Sequence, residues 1–332
     1  MQRPVRMVNA PNTLRLLAMP ALWMGVVQFV FGAISLIVHD DIIAEAFLVP
    51  GGLIALVAAP FHMLLRTDMP RISYRDALVF AVLTWVLTGL LGALPIYAVT
   101  GVSFTDAVFE SVSGLTTTGA TVLTGLDQMP ASFLMYRQFL QWMGGLGVVI
   151  FVVAVLPMLN VGGMRLLKAE TSGPVKDDKI SPRVTHATHN LWLIYIVITL
   201  ACALAFFLAG MSVFDAVAHS LATVSTGGFS THDASLGHFD SHLILNIANV
   251  FMLLGAISFS LHYRVAHTRQ LDRYWRDEET RVFVLTVALL SLLLALYLWG
   301  NDRYASFLEA LSFAAFHLIS FITSTGFGDQ DL

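Results

Sequence analysis

The chain has little of what a water-soluble enzyme needs. Only 12% of its 332 residues are charged, against roughly 25% in ordinary soluble domains. It has one cysteine, Cys202, within an apolar run, so an internal disulfide is excluded. The apolar stretches hold no GxSG-type serine motif, no metal-ligand pair and no paired carboxylate, which argues against an intramembrane enzyme. His186 and His189 have helical spacing but no HExxH or cysteine partner, and read as solvated loop residues rather than metal ligands. The Gly144-Gly145-Leu146-Gly147 run lies in an apolar helix with no soluble strand before it. Close helix approach explains it better than a nucleotide loop.

What is abundant is apolar surface. The hydrophobic share is 57% and the mean hydropathy +0.75, the composition of an integral membrane protein. Seven segments are long enough to span a bilayer: about 21–38, 48–65, 77–99, 136–157, 190–210, 242–263 and 282–299. A basic start (Arg3, Arg6, Arg15) precedes the first of them, as in a signal peptide. His39-Asp40-Asp41 follows instead of a small-residue cleavage site, so the segment reads as a retained helix.

Three shorter apolar segments, at about 104–116, 213–225 and 307–323, each lead into a Thr/Gly stretch: Thr117-Thr118-Gly119, Thr226-Gly227-Gly228 and Ser324-Thr325-Gly326. The spacing predicts re-entrant half-helices. Ser103, Ser212 and Ser306 each precede an acid by three residues (Asp106, Asp215, Glu309), the pattern of a helix N-terminus. Asp106-Ala107-Val108 and Asp215-Ala216-Val217 align without a gap when the glycines are superposed. In the third copy the acid comes four residues early, so that half-helix is predicted to be about one turn longer. His317 then aligns with His219.

With the N-terminus inside, 16 of the 18 Lys and Arg fall on the inner side and only Arg137 and Arg303 outside. That satisfies the positive-inside rule and puts every Thr/Gly stretch on the outer side, where thirteen acids face those two bases. A polar loop at membrane depth is tolerated only where it is packed in protein or lines a hydrated path. Backbone carbonyls can replace the water of a bare cation. Glycine permits the positive-φ geometry that turns them inward, threonine adds a hydroxyl, and the half-helix C-termini favour a cation. The plainer reading of any one stretch is a helix ending in a glycine C-cap.

These residues resemble the Trk/Ktr/HKT potassium transporter superfamily, and within it the TrkH-type pore subunit. Ser113 to Thr121 is similar to the family's first filter and Ser225 to Ser230 to its second. Gln141 to Gly147 resembles the helix start after the first filter, and the 169–177 loop is also similar. The resemblance implies an all-α integral membrane fold, with helix–pore half-helix–filter loop–helix units around a pseudo-fourfold pore. Two extra helices at 1–75 would precede repeat 1 (76–160), repeat 2 (161–265) and a partial repeat 3 (266–332). It implies a K+ filter of Thr117, Thr118, Gly119, Thr226, Gly227, Gly228, Ser324, Thr325 and Gly326, with Gly119 favouring potassium over sodium. K+ would be the bound and transported ion, with no organic cofactor and no nucleic acid. A cytosolic nucleotide-binding regulatory subunit of TrkA type would meet the inside loops, including the 269–279 charge cluster. A homodimer in a bacterial inner membrane, in contact with lipid, is expected by the same likeness. The family has four repeats, so the chain is expected to be a fragment of a longer protein. The rival reading is a non-transporting membrane assembly or regulatory subunit.

Overall fold

The computed structural model describes residues 10–39, 41–64, 74–145, 147 and 184–329. Among these, every regular element is helical. The loop at 169–177 and nearly all of the second half of the expected 136–157 span lie outside the described residues, as do the side chains of His186 and His189. Two compact units share the chain.

The first unit takes in Met1–Val112, Pro130–Phe133 and Leu146–His189. Its helices are α1 (Ala10–Ile34, continued by a π turn over Ser35–His39), α2 (Ala44–Leu64), α3 (Tyr74–Thr100) and most of α4 (Phe104–Leu115). Three apolar stretches of membrane-spanning length, Thr13–Val38, Ala44–Met63 and Val79–Thr100, overlap the first three expected spans to within two residues at the ends of the second and third. Glycine brings α1 and α2 together. A Cβ on Gly25 would meet the Gly51 carbonyl at 3.3 Å, and one on Gly51 the Gly25 carbonyl at 3.1 Å. Small residues are the usual means of close helix approach in lipid, where no hydrophobic force drives helices together. Ala18, Ala21, Ile54 and Ala58 form the buried seam, against which Leu87, Leu91 and Leu94 pack. The Gln28 amide donates to the Leu91 carbonyl (2.9 Å), tying α1 to α3. Asp41 accepts from the Ser132 amide (3.1 Å) and hydroxyl (2.6 Å).

The second unit takes in Ser113–Met129, Leu134–Gly145 and Asn190–Leu332. It holds the end of α4, most of α5 (Ala131–Gly145) and of α6 (Val184–Leu208), and the whole of α7 (Val213–Val224) and α8 (His242–Ala256). The remaining helices are α9 (Phe259–Thr268), α10 (Asp272–Arg276), α11 (Glu278–Gly300) and α12 (Phe307–Ile322). Two stretches of spanning length, Asn190–Leu208 and Glu278–Gly300, match the expected ones. The chain is thus a multi-pass membrane protein.

The half-helices form as the sequence predicts. The Ser103, Ser212 and Ser306 hydroxyls accept from the amides of Asp106 (3.1 Å), Asp215 (3.0 Å) and Glu309 (3.2 Å). The first two half-helices have 12 residues and the third 16, so the extra turn is present.

One expectation fails. The continuous span over 242–263 is broken into α8 and α9, bent by 95°. Contacts with α7 and with His262 accompany the break. A Cβ on Gly255 would lie 2.6 Å from the Val224 carbonyl, so α8 abuts the end of α7 there. The His262 ring then meets the freed Leu254 carbonyl (Nε2 at 2.9 Å) and the Tyr274 hydroxyl (Nδ1 at 2.7 Å). A side chain thereby supplies the hydrogen bond that the interrupted ladder loses.

Candidate functional site: three converging Thr/Gly segments

Each half-helix ends in the same two hydrogen bonds. The amides of Thr117, Thr226 and Ser324 donate to the carbonyls of Gly114, Thr223 and Phe321 (3.0 Å each). The next amides, of Thr118, Gly227 and Thr325, reach five residues back to Ser113 (2.9 Å), Ala222 (2.8 Å) and Ser320 (2.8 Å). This is the Schellman closure, which normally places glycine at its left-handed residue. Here that residue is Thr117 (φ 54°), Thr226 (φ 52°) or Ser324 (φ 58°). The glycine stands two places later, again at positive φ: Gly119 (76°), Gly228 (79°), Gly326 (85°). The plain glycine C-cap is therefore corrected. The helix does end here, but a hydroxylated residue caps it and the glycine bends the exit strand. A β-branched residue in the left-handed region is an outlier. It costs about 1–2 kcal/mol, and strain of this kind concentrates at functional sites.

The three segments meet. A Cβ on Gly119 would lie 2.1 Å from the Gly227 carbonyl oxygen and 3.1 Å from that of Thr325, and one on Gly228 would lie 1.7 Å from the Thr325 oxygen. Glycine is thus required at 119 and 228 by both φ and space. All nine residues read from the sequence lie in this one cluster, in three copies with one backbone pattern.

The copies are fastened differently. In segment 1 the Ser113 hydroxyl donates to the Ala120 carbonyl (2.6 Å), and in segment 3 Ser320 donates to Phe327 (2.9 Å). The hydroxyls of Thr116 and Thr118 pair at 2.7 Å, as do those of Thr323 and Thr325. Segment 2 has Ala222, Ser225 and Gly227 at the corresponding places. There the buried Gln141 of α5 substitutes: its Nε2 donates to the Gly227 carbonyl (2.6 Å) and its Oε1 accepts from the Phe229 amide (3.0 Å). A Cβ on Gly227 would meet the Gln141 amide at 2.5 Å, so this glycine makes room for the fastener.

Two further side chains make contacts that the sequence did not announce. Arg137 stands as an outer-face base there, yet it is fully buried. Its guanidinium lies over the Phe229 ring (4.3 Å) and donates to the Ser230 carbonyl (3.4 Å) and the Thr121 hydroxyl (3.2 Å). It bridges the exits of segments 1 and 2. Asp215, in the first turn of α7, accepts from the hydroxyls of Ser212 (2.7 Å) and Thr231 (2.8 Å). His219 and His317, aligned by sequence, hold equivalent places. His219 Nε2 meets the Ser230 hydroxyl (2.9 Å), and His317 Nε2 lies 2.7 Å from Asp329 Oδ1. Beyond segment 2, His232 lies between Asp127 and Asp215. Burial alone would lower its pKa, but its bonds to the two carboxylates outweigh burial and raise it.

The likeness to known proteins is extensive. The family model described as "TrkH: Cation transport protein" matches residues 48–327. The chain is 46% identical over 264 residues to the Trk system potassium uptake protein TrkH of Escherichia coli (strain K12), covering 79% of this chain and 55% of that protein. It is 45% identical over 300 residues to the protein of that name from Halomonas elongata, covering 90% of this chain and 62% of the relative. It therefore spans somewhat more than half the length of these relatives. The crystal structure of the potassium transporter TrkH from Vibrio parahaemolyticus superposes with a TM-score of 0.84 at 36% identity, over 97% of this chain and 66% of that one. On sequence, helix order and backbone fold, the chain belongs to the TrkH family of cation transport proteins.

Proposed function

We propose that this chain is the greater part of the pore-forming subunit of a Trk-type potassium uptake system. K+ passes, without covalent chemistry, through a filter of Thr117, Thr118, Gly119, Thr226, Gly227, Gly228, Ser324, Thr325 and Gly326. The observation that carries this reading is the threefold backbone pattern, a strained hydroxylated residue followed two places on by a positive-φ glycine, with Gly119 and Gly228 packed against a neighbouring copy's carbonyl. A merely structural helix end has no reason to repeat that strain three times. The half-helices α4, α7 and α12 run directly into the segments with their C-terminal ends, where the dipole favours a cation.

The same reading sets the filter on the outer face of a bacterial inner membrane, with the N-terminus and α9–α10 on the cytosolic side. There Arg269, Arg273 and Arg276, with Asp272, Asp277, Glu278 and Glu279, form the docking face for a nucleotide-binding regulator of TrkA type. The subunit pairs as a homodimer, and a fourth filter segment comes from a fourth repeat of the whole protein.

The test is growth of potassium-uptake-deficient cells at low potassium, carrying the full-length parent gene. Restored growth is expected. Absence of uptake despite confirmed membrane expression would contradict the proposal.

A further inference from the structure

Asp127, His232 and His238 bring one ligand atom each to within 4.8 Å of one another. None of them belongs to the filter. Asp127 comes from the loop after segment 1, on a short 3-10 turn (Leu126–Gln128), and the histidines from the loop after segment 2. The two loops are clasped independently of these contacts: the Leu126 amide donates to Asp233 Oδ2 (3.0 Å). The carboxylate and imidazoles are therefore held on backbone already fixed in place.

The donor set is chemically selective. Two imidazoles and one carboxylate suit Zn2+ and neighbouring d-block dications, whereas Mg2+ and Ca2+ call for oxygen ligands. The supporting contacts also fit. His232 Nδ1 is bonded to Asp127 Oδ1, and its other ring nitrogen, Nε2, lies 3.3 Å from Asp215 Oδ1. A metal-bound histidine characteristically directs its second nitrogen at a carboxylate, which fixes the tautomer. Asp215 is itself held by the Ser212 hydroxyl (2.7 Å) and the Thr231 hydroxyl (2.8 Å). The His238 ring stacks flat on His232, with centroids 3.5 Å apart and planes 2° apart. Coordination turns His238 off that stack, a rotation its solvent exposure leaves free.

We propose that Asp127, His232 and His238 form a binding site for a d-block divalent cation of the Zn2+ class, with water completing the coordination shell. His232 Nδ1 gives up its proton to solvent as the metal binds, and Asp215 orients the ring from behind. The metal cross-links the loops that follow segments 1 and 2.

The test is zinc binding to the purified full chain in detergent, by competition with a chromophoric chelator. One site per chain is expected, unaffected by excess Mg2+. His238→Gln and Asp127→Asn should each weaken it by at least about tenfold, since loss of even an outer-shell contact typically costs 10–100-fold. His267→Gln, an exposed histidine on α9, should leave it unchanged. Co2+ bound at the site should give ligand-field bands that His238→Gln removes, with circular dichroism confirming that the variants fold. The proposal is overturned if the chain binds no zinc in this competition, if affinity survives both site variants, or if His267→Gln weakens it equally.

Discussion

Segments 1 and 3 each receive a serine hydroxyl from their own half-helix, Ser113 on Ala120 and Ser320 on Phe327. Segment 2 takes its two bonds from the Gln141 amide of another helix. The backbone outcome is the same in all three: a left-handed hydroxylated residue followed two places on by a positive-φ glycine. A repeated unit can thus keep its geometry while exchanging a local fastener for a remote one. The exchange leaves a trace in composition. Where Gln141 arrives, the middle residue is Gly227; where the fastener is local, it is Thr118 or Thr325, whose hydroxyl pairs with a neighbouring threonine.

The sharpest way to break this comparison is Gln141→Leu. It leaves the Gly227 carbonyl and the Phe229 amide without their side-chain partner in a buried place, at about 1–3 kcal/mol for each unsatisfied group. Thermal unfolding of the purified protein in detergent should show the largest loss for this variant.

Next come the glycines. Gly228→Ala sets a Cβ within 1.7 Å of the Thr325 carbonyl, whereas at Gly326 it meets nothing within 4 Å. Gly326→Ala should cost only the left-handed penalty of about 1–2 kcal/mol. Gly228→Ala should exceed it, and equal losses in the same melts would show that the contact between segments 2 and 3 is not rigid.

Ser113→Ala and Ser320→Ala remove one hydrogen bond each, worth about 1 kcal/mol, and the two should match each other. If either equals Gln141→Leu, local and remote fastening do not differ energetically.

The smallest effect is expected at Ser324→Gly. It relieves the left-handed strain but gains chain entropy in the unfolded state, for a net stabilisation of up to about 1 kcal/mol. A loss of stability would mean that the hydroxyl contributes more than the strain costs.

Much of the fold was legible because its signals are local. Ser103, Ser212 and Ser306 with the acids three residues on set the half-helix starts, and the early Glu309 foretold the longer third one. The register of the three Thr/Gly segments was legible because the glycines repeat. The break in 242–263 was not, since it goes with Gly255 against Val224 and with His262 reaching Leu254, contacts made only after folding. Gln141 and Arg137 were hidden for the same reason. Gln141 stood within a stretch similar to the family's helix start, but nothing in its neighbourhood announced that its amide would meet backbone 86 and 88 positions away. The identity of the capping residue also escaped the pattern, because glycine is the usual occupant and here it stands two places later.

Ion selection by the converging segments, as proposed, is open to measurement through K+ and Na+ fluxes of the reconstituted full-length parent and its Gly119→Ser variant. A side chain at 119 must displace the Gly227 carbonyl, 2.1 Å from the Cβ position. A clear fall in the K+ to Na+ flux ratio is expected, with the protein still folded. An unchanged ratio with K+ flux intact would contradict it.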